Sequence, residues 1–126
     1  MISNFKGKTA VLTGAGSGFG LACARIGAKL GMNLVLVDVQ KDALDAAEAE
    51  LKATGVGVMA RLVNVADAAQ MQALADDVKA TFGAPNFVFN NAGVGAGGLI
   101  WENTQADWDW VLGVNVWGVV RSEEHT

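Results

Sequence analysis

Short apolar runs alternate with helical stripes along the whole chain. Lys8-Thr9-Ala10-Val11-Leu12-Thr13 is a strand-length run that ends in glycines. Phe19, Ala22, Cys23, Ile26 and Leu30 follow at helical spacing. This predicts a helix that buries that stripe, with Gly31 placed to stop it. On this reading Cys23 is plain core. Leu34-Val35-Leu36-Val37 is apolar without alternation, as in a strand covered on both faces. Leu44, Ala47 and Leu51 mark a second helix ending near Gly55, and Val58–Val63 a third strand. Asp67, with Gln70 one turn on, reads as the cap of a third helix with the stripe Met71, Leu74, Ala75, Val78 and Phe82. Gly83 and Pro85 close it, and Phe87-Val88-Phe89 is the fourth strand. Thr104-Gln105-Ala106-Asp107 reads as a capping box that opens a fourth helix, with Trp108, Val111, Leu112, Asn115 and Val119 as its stripe.

A βαβαβαβα order with short connections implies an α/β fold: a doubly wound parallel sheet, right-handed crossovers, and helices on both faces. At 126 residues there is room for one domain. Hydrophobic residues at 52% and charged residues at 17% exclude intrinsic disorder. The net charge of −4, with no Lys/Arg cluster, lacks the basic footprint that nucleic acid requires. A single cysteine can form neither an internal disulfide nor a Cys-based metal site, so no metal is expected and a cytoplasmic setting fits best. No apolar run approaches the roughly 18 residues of a membrane span, and Met1–Lys8 lacks the apolar core of a signal peptide. No membrane partner is therefore expected.

The turn after the first strand, Thr13-Gly14-Ala15-Gly16-Ser17-Gly18-Phe19-Gly20, carries candidate chemistry. In a doubly wound sheet that turn delivers a helix N-terminus whose free N–H groups favour a phosphate, and glycines let the backbone come close. The common spacing G-x-G-x-x-G is not met; the pattern is T-G-x-x-x-G-x-G through Thr13, Gly14, Gly18 and Gly20. A Gly-rich turn used only for tight packing is the alternative. Asp38 ends the second strand, at the spacing where a carboxylate accepts the adenosine-ribose hydroxyls and repels a 2′-phosphate. No Arg or Lys occupies Ala15, Ser17 or Val39 to offset it, and Lys41 belongs to the next helix. NAD is thereby favoured over NADP, unless Asp38 is only a solvated acid at a strand end.

Asn115 falls on the apolar stripe of the fourth helix, which would point its amide into the buried face. A buried unpaired amide costs about 1–3 kcal/mol, so a backbone partner or a function is expected there. Phe89-Asn90-Asn91-Ala92-Gly93 leaves the fourth strand at its C-terminal end. There, beside the first strand, the switch in strand order makes a ligand crevice. Taken alone, Asn-Asn-Ala-Gly could equally be a turn.

Together the Thr13–Gly20 loop, Asp38, Asn64-Val65, Asn90–Gly93 and Asn115 resemble the short-chain dehydrogenases/reductases, from about Lys6 to Val120. The resemblance implies a Rossmann-type sheet and an oxidoreductase that moves hydride between NAD(P) and an alcohol or carbonyl. It implies nucleotide binding by Gly14, Ser17, Gly18, Phe19 and Gly20 at the pyrophosphate, with Asp38 at the adenosine ribose and Asn64 and Val65 at the adenine. Many members have Asp where Asn64 stands. Asn91, Ala92 and Gly93 would line the ribose side, Asn90 would brace the sheet, and Asn115 would be the catalytic-set helix Asn that supports a proton relay through water. The intact enzyme would be a homodimer or homotetramer acting on a small alcohol or ketone.

The family's Ser and Tyr-x-x-x-Lys have no counterpart, since the chain has no Tyr and its last Lys is Lys79. The expectation is a fragment: a cofactor-binding unit over residues 1–120, truncated after the fourth βα unit, inactive by itself and prone to aggregate along an unpaired strand edge. Arg121–Thr126 coincides with one reading frame of a common sequencing adapter, AGATCGGAAGAGCACACG, so residues 121–126 are expected to be a non-native tail, and the lone His125 to carry no chemistry. The competing readings are a native polar helix end for the tail, and for the domain a non-catalytic dinucleotide-binding redox sensor or a Rossmann methyltransferase. The Thr13-initiated spacing together with Asn90–Gly93 argues against the last. Trp101, after Gly97-Gly98, could border a substrate pocket, whereas Trp108 has core spacing.

Overall fold

A computed structural model describes residues 3–124. His125 and Thr126, the end of the expected tail, lie outside the described residues, as do Met1 and Ile2. Four parallel strands, β1 (Thr9–Thr13), β2 (Asn33–Asp38), β3 (Val58–Leu62) and β4 (Phe87–Phe89), form one sheet in the order β3-β2-β1-β4. Val11 stands opposite Val35 on β2 and Val88 on β4, and Val35 opposite Met59 on β3. The helices α1 (Gly18–Lys29), α2 (Lys41–Lys52) and α3 (Ala68–Phe82) connect them. The expected doubly wound α/β sheet is what the chain forms.

Alternation along the strands sends successive side chains to opposite faces, and each face has its own core. Ala10, Leu12, Leu34 and Leu36 pack with Ala24 and Ala28 of α1 and Leu44, Ala47 and Leu51 of α2. Val11, Val35, Val37 and Met59 pack with Met71, Leu74 and Val78 of α3, and with Val114. The predicted stripes of α2 and α3 are thus the buried ones.

The stripe predicted for α1 is not. Phe19, Ile26 and Leu30 are exposed, and the buried face is Gly20, Ala24, Gly27 and Ala28. This helix lies against β2 so closely that a Cβ on Gly27 would stand 2.9 Å from Leu34 Cδ2. Small residues make that approach possible, and a hydrophobic stripe built from large side chains points the other way. Cys23 is half-buried at the margin of the first core.

The Asp67 side chain accepts from the Gln70 backbone N–H at 3.0 Å, capping α3 as expected. That backbone hydrogen bond holds the Asp67 carboxyl below the usual carboxylate range. A carboxyl whose folded value is depressed adds stability above its unfolded pKa, about 4, and loses it as pH falls through the folded value. Asp67→Asn keeps a neutral cap acceptor. Its melting temperature should therefore fall less than that of the unaltered chain when pH drops below about 4. Parallel melting curves across that range would contradict this.

The fourth helical region is not one regular helix. It runs as α4 (Gln105–Leu112), a π-helical segment over Gly113–Trp117, and α5 (Gly118–Glu123). The capping box is formed, with Asp107 N–H donating to Thr104 Oγ1 at 3.2 Å and Thr104 N–H to Asp107 Oδ2 at 2.8 Å. The π turn takes an extra residue and shifts the register of everything after it. Val114, Gly118 and Ser122 are the buried residues there, and Asn115 and Trp108 are exposed, against the expectation of an inward stripe. A Cβ on Gly118 would come 2.7 Å from Val65 Cγ2, so α5 lies directly on the segment after β3. The helix continues past Val120: Arg121 hydrogen-bonds the Ala66 carbonyl and lies over the Trp117 ring, 5.8 Å from its centroid. No helix among the described residues is long and apolar enough to cross a membrane.

Candidate functional site

With β2 and β3 on one side of β1 and β4 on the other, the sheet has its switch point between β1 and β4. Open α/β sheets bind ligands in the crevice beyond the strand ends at such a point. A groove of about 580 Å³ lies there. Its walls include Gly14, Ser17, Gly18 and Phe19 from the glycine loop, Asp38 from β2, Asn64 and Val65 after β3, and Asn91, Ala92 and Gly93 after β4. These ten were expected at a cofactor site from the sequence, and the fold brings them to one groove.

The loop has room for a ligand's phosphates because it is pressed against the rest of the site. Gly14 has φ +66°, and a Cβ there would stand 2.9 Å from Asn91 Nδ2 and 3.1 Å from Ala92 Cα. Gly20, the expected residue that does not line the groove, lies beneath it, where a Cβ would be 2.2 Å from the Gly14 carbonyl oxygen. Ser17 occupies the N-cap of α1 without a side-chain capping hydrogen bond, and no acidic residue stands in the first turn. No side chain of α1 itself compensates the positive end of the helix dipole, which opens into the groove and offers the chemistry a phosphate needs.

Thr13 and Asn91 tie the two central strand ends together. Thr13 Oγ1 accepts from the backbone N–H groups of Asn91 and Ala92, each at 3.0 Å, and Asn91 Nδ2 donates to the carbonyls of Thr13 and Gly14 at 3.1 and 3.3 Å. The sheet brace is therefore Asn91. Asn90, expected in that role, donates instead to Glu123 Oε1 on α5 at 3.2 Å. In an extended segment neighbouring side chains face opposite ways, so only one of the two can reach β1.

Asp38 is held from three sides. Its Oδ2 accepts from Gly16 N–H at 2.9 Å, and Oδ1 from the N–H groups of Val39 and Gln40 at 2.8 and 3.0 Å. The carboxylate is fixed before any ligand arrives, and it is the only charged side chain lining the groove among the described residues. Lys41 opens α2 and pairs with Asp45 on the same helix. Asn64 Oδ1 accepts from Ala66 N–H at 2.9 Å, which turns the chain toward α3 and leaves Val65 buried beside it.

Asn115 does not line the groove. Its Oδ1 accepts from Val94 N–H at 2.9 Å and its Nδ2 donates to the Val94 carbonyl at 2.8 Å, clamping the π-helical segment to the chain leaving β4. Trp101 is 76% exposed and stands outside the groove. Sequence reasoning missed Gln40, Val94, Trp110 and Val114, which also line it. Trp110 and Val114 share the four-residue spacing of Gly118 and Ser122, a signal that the fourth helix's regular-stripe reading hides.

Residues 8–125 match the family model described as short chain dehydrogenase. The chain belongs to that family. A short chain dehydrogenase/reductase from Burkholderia phymatum, solved in complex with NAD, is 51% identical and superposes with a TM-score of 0.95, over 98% of this chain and 44% of that one. L-sorbose reductase from Gluconobacter frateurii, complexed with NADPH and L-sorbose, is 36% identical with a TM-score of 0.92, over 99% and 48%. Among curated relatives, the C alpha-dehydrogenase of Sphingobium sp. is 35% identical over 95% of this chain and 40% of its own length. The chain thus spans less than half the length of these relatives.

Proposed function

We propose that the groove binds NAD and that the intact protein is an oxidoreductase acting on an alcohol or carbonyl substrate. The glycine cradle and the uncapped α1 N-terminus would hold the pyrophosphate, and Asp38 the two hydroxyls of the adenosine ribose. Asn64 and Val65 would border the adenine, and Asn91, Ala92 and Gly93 the second ribose. NAD, when bound, supplies hydride transfer. Asn115 is a positioning residue in this reading, since it fixes the Val94 backbone at the β4 end of the groove. The chain contains no Tyr, so binding without turnover is the expected behaviour of the polypeptide as it stands.

The observation that carries NAD rather than NADP is Asp38. It is a fixed carboxylate with no cation beside it on the groove wall. A 2′-phosphate there would meet like charge and lose the charge-assisted hydrogen bond of the 2′-hydroxyl, worth about 1.5–3 kcal/mol. Calorimetric titration should therefore show NAD+ binding at least about tenfold tighter than NADP+. Asp38→Ala should remove most of that preference. Equal affinity for both dinucleotides in the unaltered chain would sink the NAD reading.

A further inference from the structure

One aromatic side chain at the groove has no role in the reading above. Trp110 projects from α4 into the groove wall, yet 51% of it is exposed. It lies one and two helical turns before Val114 and Gly118, which pack on the segment after β3. Val114 belongs to the same core as Val63 and Val65, and Gly118 lies against Val65. Gly113, between Trp110 and Val114, also faces this segment, since a Cβ there would be 3.3 Å from Ala66 Cβ. Trp110 therefore prolongs a buried stripe beyond the protein core. The stripe it prolongs packs on the segment after β3, which borders the groove on the same side of β1 as Asp38. What sets Trp110 apart from the other exposed indoles, Trp101, Trp108 and Trp117, is its place on the groove wall, where a flat ligand ring can reach it.

We infer that Trp110 is a binding residue for the base of the nucleotide, presenting its indole as an aromatic wall at the Asn64–Val65 end of the groove. The inference rests on the dinucleotide reading and adds to it a residue that selects for a flat heterocycle at that end. A base stacked on an aromatic side chain loses on the order of tenfold or more in affinity when that side chain becomes alanine. Phenylalanine preserves a stacking face.

The test uses NAD+, AMP and nicotinamide mononucleotide as separate probes, by ligand-observed NMR titration. Trp110→Ala should weaken NAD+ and AMP by about tenfold and leave nicotinamide mononucleotide unchanged. Trp110→Phe should keep AMP within about threefold and abolish the quenching of tryptophan fluorescence that AMP causes in the unaltered chain. Melting curves of both variants exclude a folding effect. If the unaltered chain binds NAD+ and Trp110→Ala binds it equally well, or if nicotinamide mononucleotide weakens as much as AMP, the inference is overturned and the dinucleotide reading stands. If the unaltered chain binds none of the three probes, both fall together.

Discussion

Gly20→Ala is expected to weaken NAD+ binding by about a hundredfold, because displacing the loop loses charge-assisted hydrogen bonds to the phosphates, each worth about 1.5–3 kcal/mol. The added Cβ would stand 2.2 Å from the Gly14 carbonyl oxygen and 2.8 Å from Asn91 Nδ2. Neither neighbour is the loose end of a flexible side chain. The carbonyl is backbone, and the amide is held by two hydrogen bonds, to Thr13 and Gly14. The loop must move, and with it the mouth of α1, whose uncapped N–H groups are the proposed phosphate site. The fold should survive, since overpacking typically costs 1–3 kcal/mol against a domain stability of about 5–15. Gly95→Ala is the matched control, because a Cβ there meets nothing within 4 Å. Titration with NAD+ beside circular-dichroism melting separates the two effects. Undiminished binding by a folded Gly20→Ala chain would show that the loop carries no phosphate.

The elements of this fold were legible because each local signal agreed with the next. Leu34–Val37 lacks alternation, and it forms the inner strand covered on both faces. Asp67 and Thr104 cap the helices their neighbours predict. The residues proposed to hold the cofactor are legible for another reason. Glycine spacing and a strand-end acid record how a chain passes close to a ligand, so they survive without knowledge of packing. What could not be read was the phase of two helices. On α1 the sheet-facing residues are small, and an apolarity count gives more weight to Phe19 and Ile26 than to Gly20 and Ala24. On the fourth helical region the π turn at Gly113–Trp117 changes the period within the helix, and no residue type announces it. Asn115 falls on a regular stripe that the π turn breaks, and it is exposed. The backbone partner expected of it is nevertheless present, in two hydrogen bonds to Val94, although sequence spacing does not say which backbone that is.

Leu36→Ala should cost about 2–5 kcal/mol, the largest stability loss expected of any single substitution considered, because it opens a cavity where nothing can collapse to fill it. Leu36 is fully buried on β2, which has a hydrogen-bonded strand on each side, and its side chain lies in the core beneath α1 and α2. Helices and flanking strands hold the walls of that space apart, so the transfer loss and the cavity loss add. Ile26→Ala removes an apolar side chain of similar size and should change stability by no more than about 0.5 kcal/mol, because Ile26 is exposed on the outer side of α1. The pair distinguishes two accounts of the same helix by denaturant midpoint alone. In the first, α1 is held by large residues on a regular stripe, and Ile26→Ala loses about as much as Leu36→Ala. In the second, α1 is held by the close approach of Gly20, Ala24, Gly27 and Ala28 to the sheet, and only Leu36→Ala shifts the midpoint. The second account also explains why the glycine loop is so intolerant of bulk, since a helix seated that low places its first turn directly against the Gly14 carbonyl.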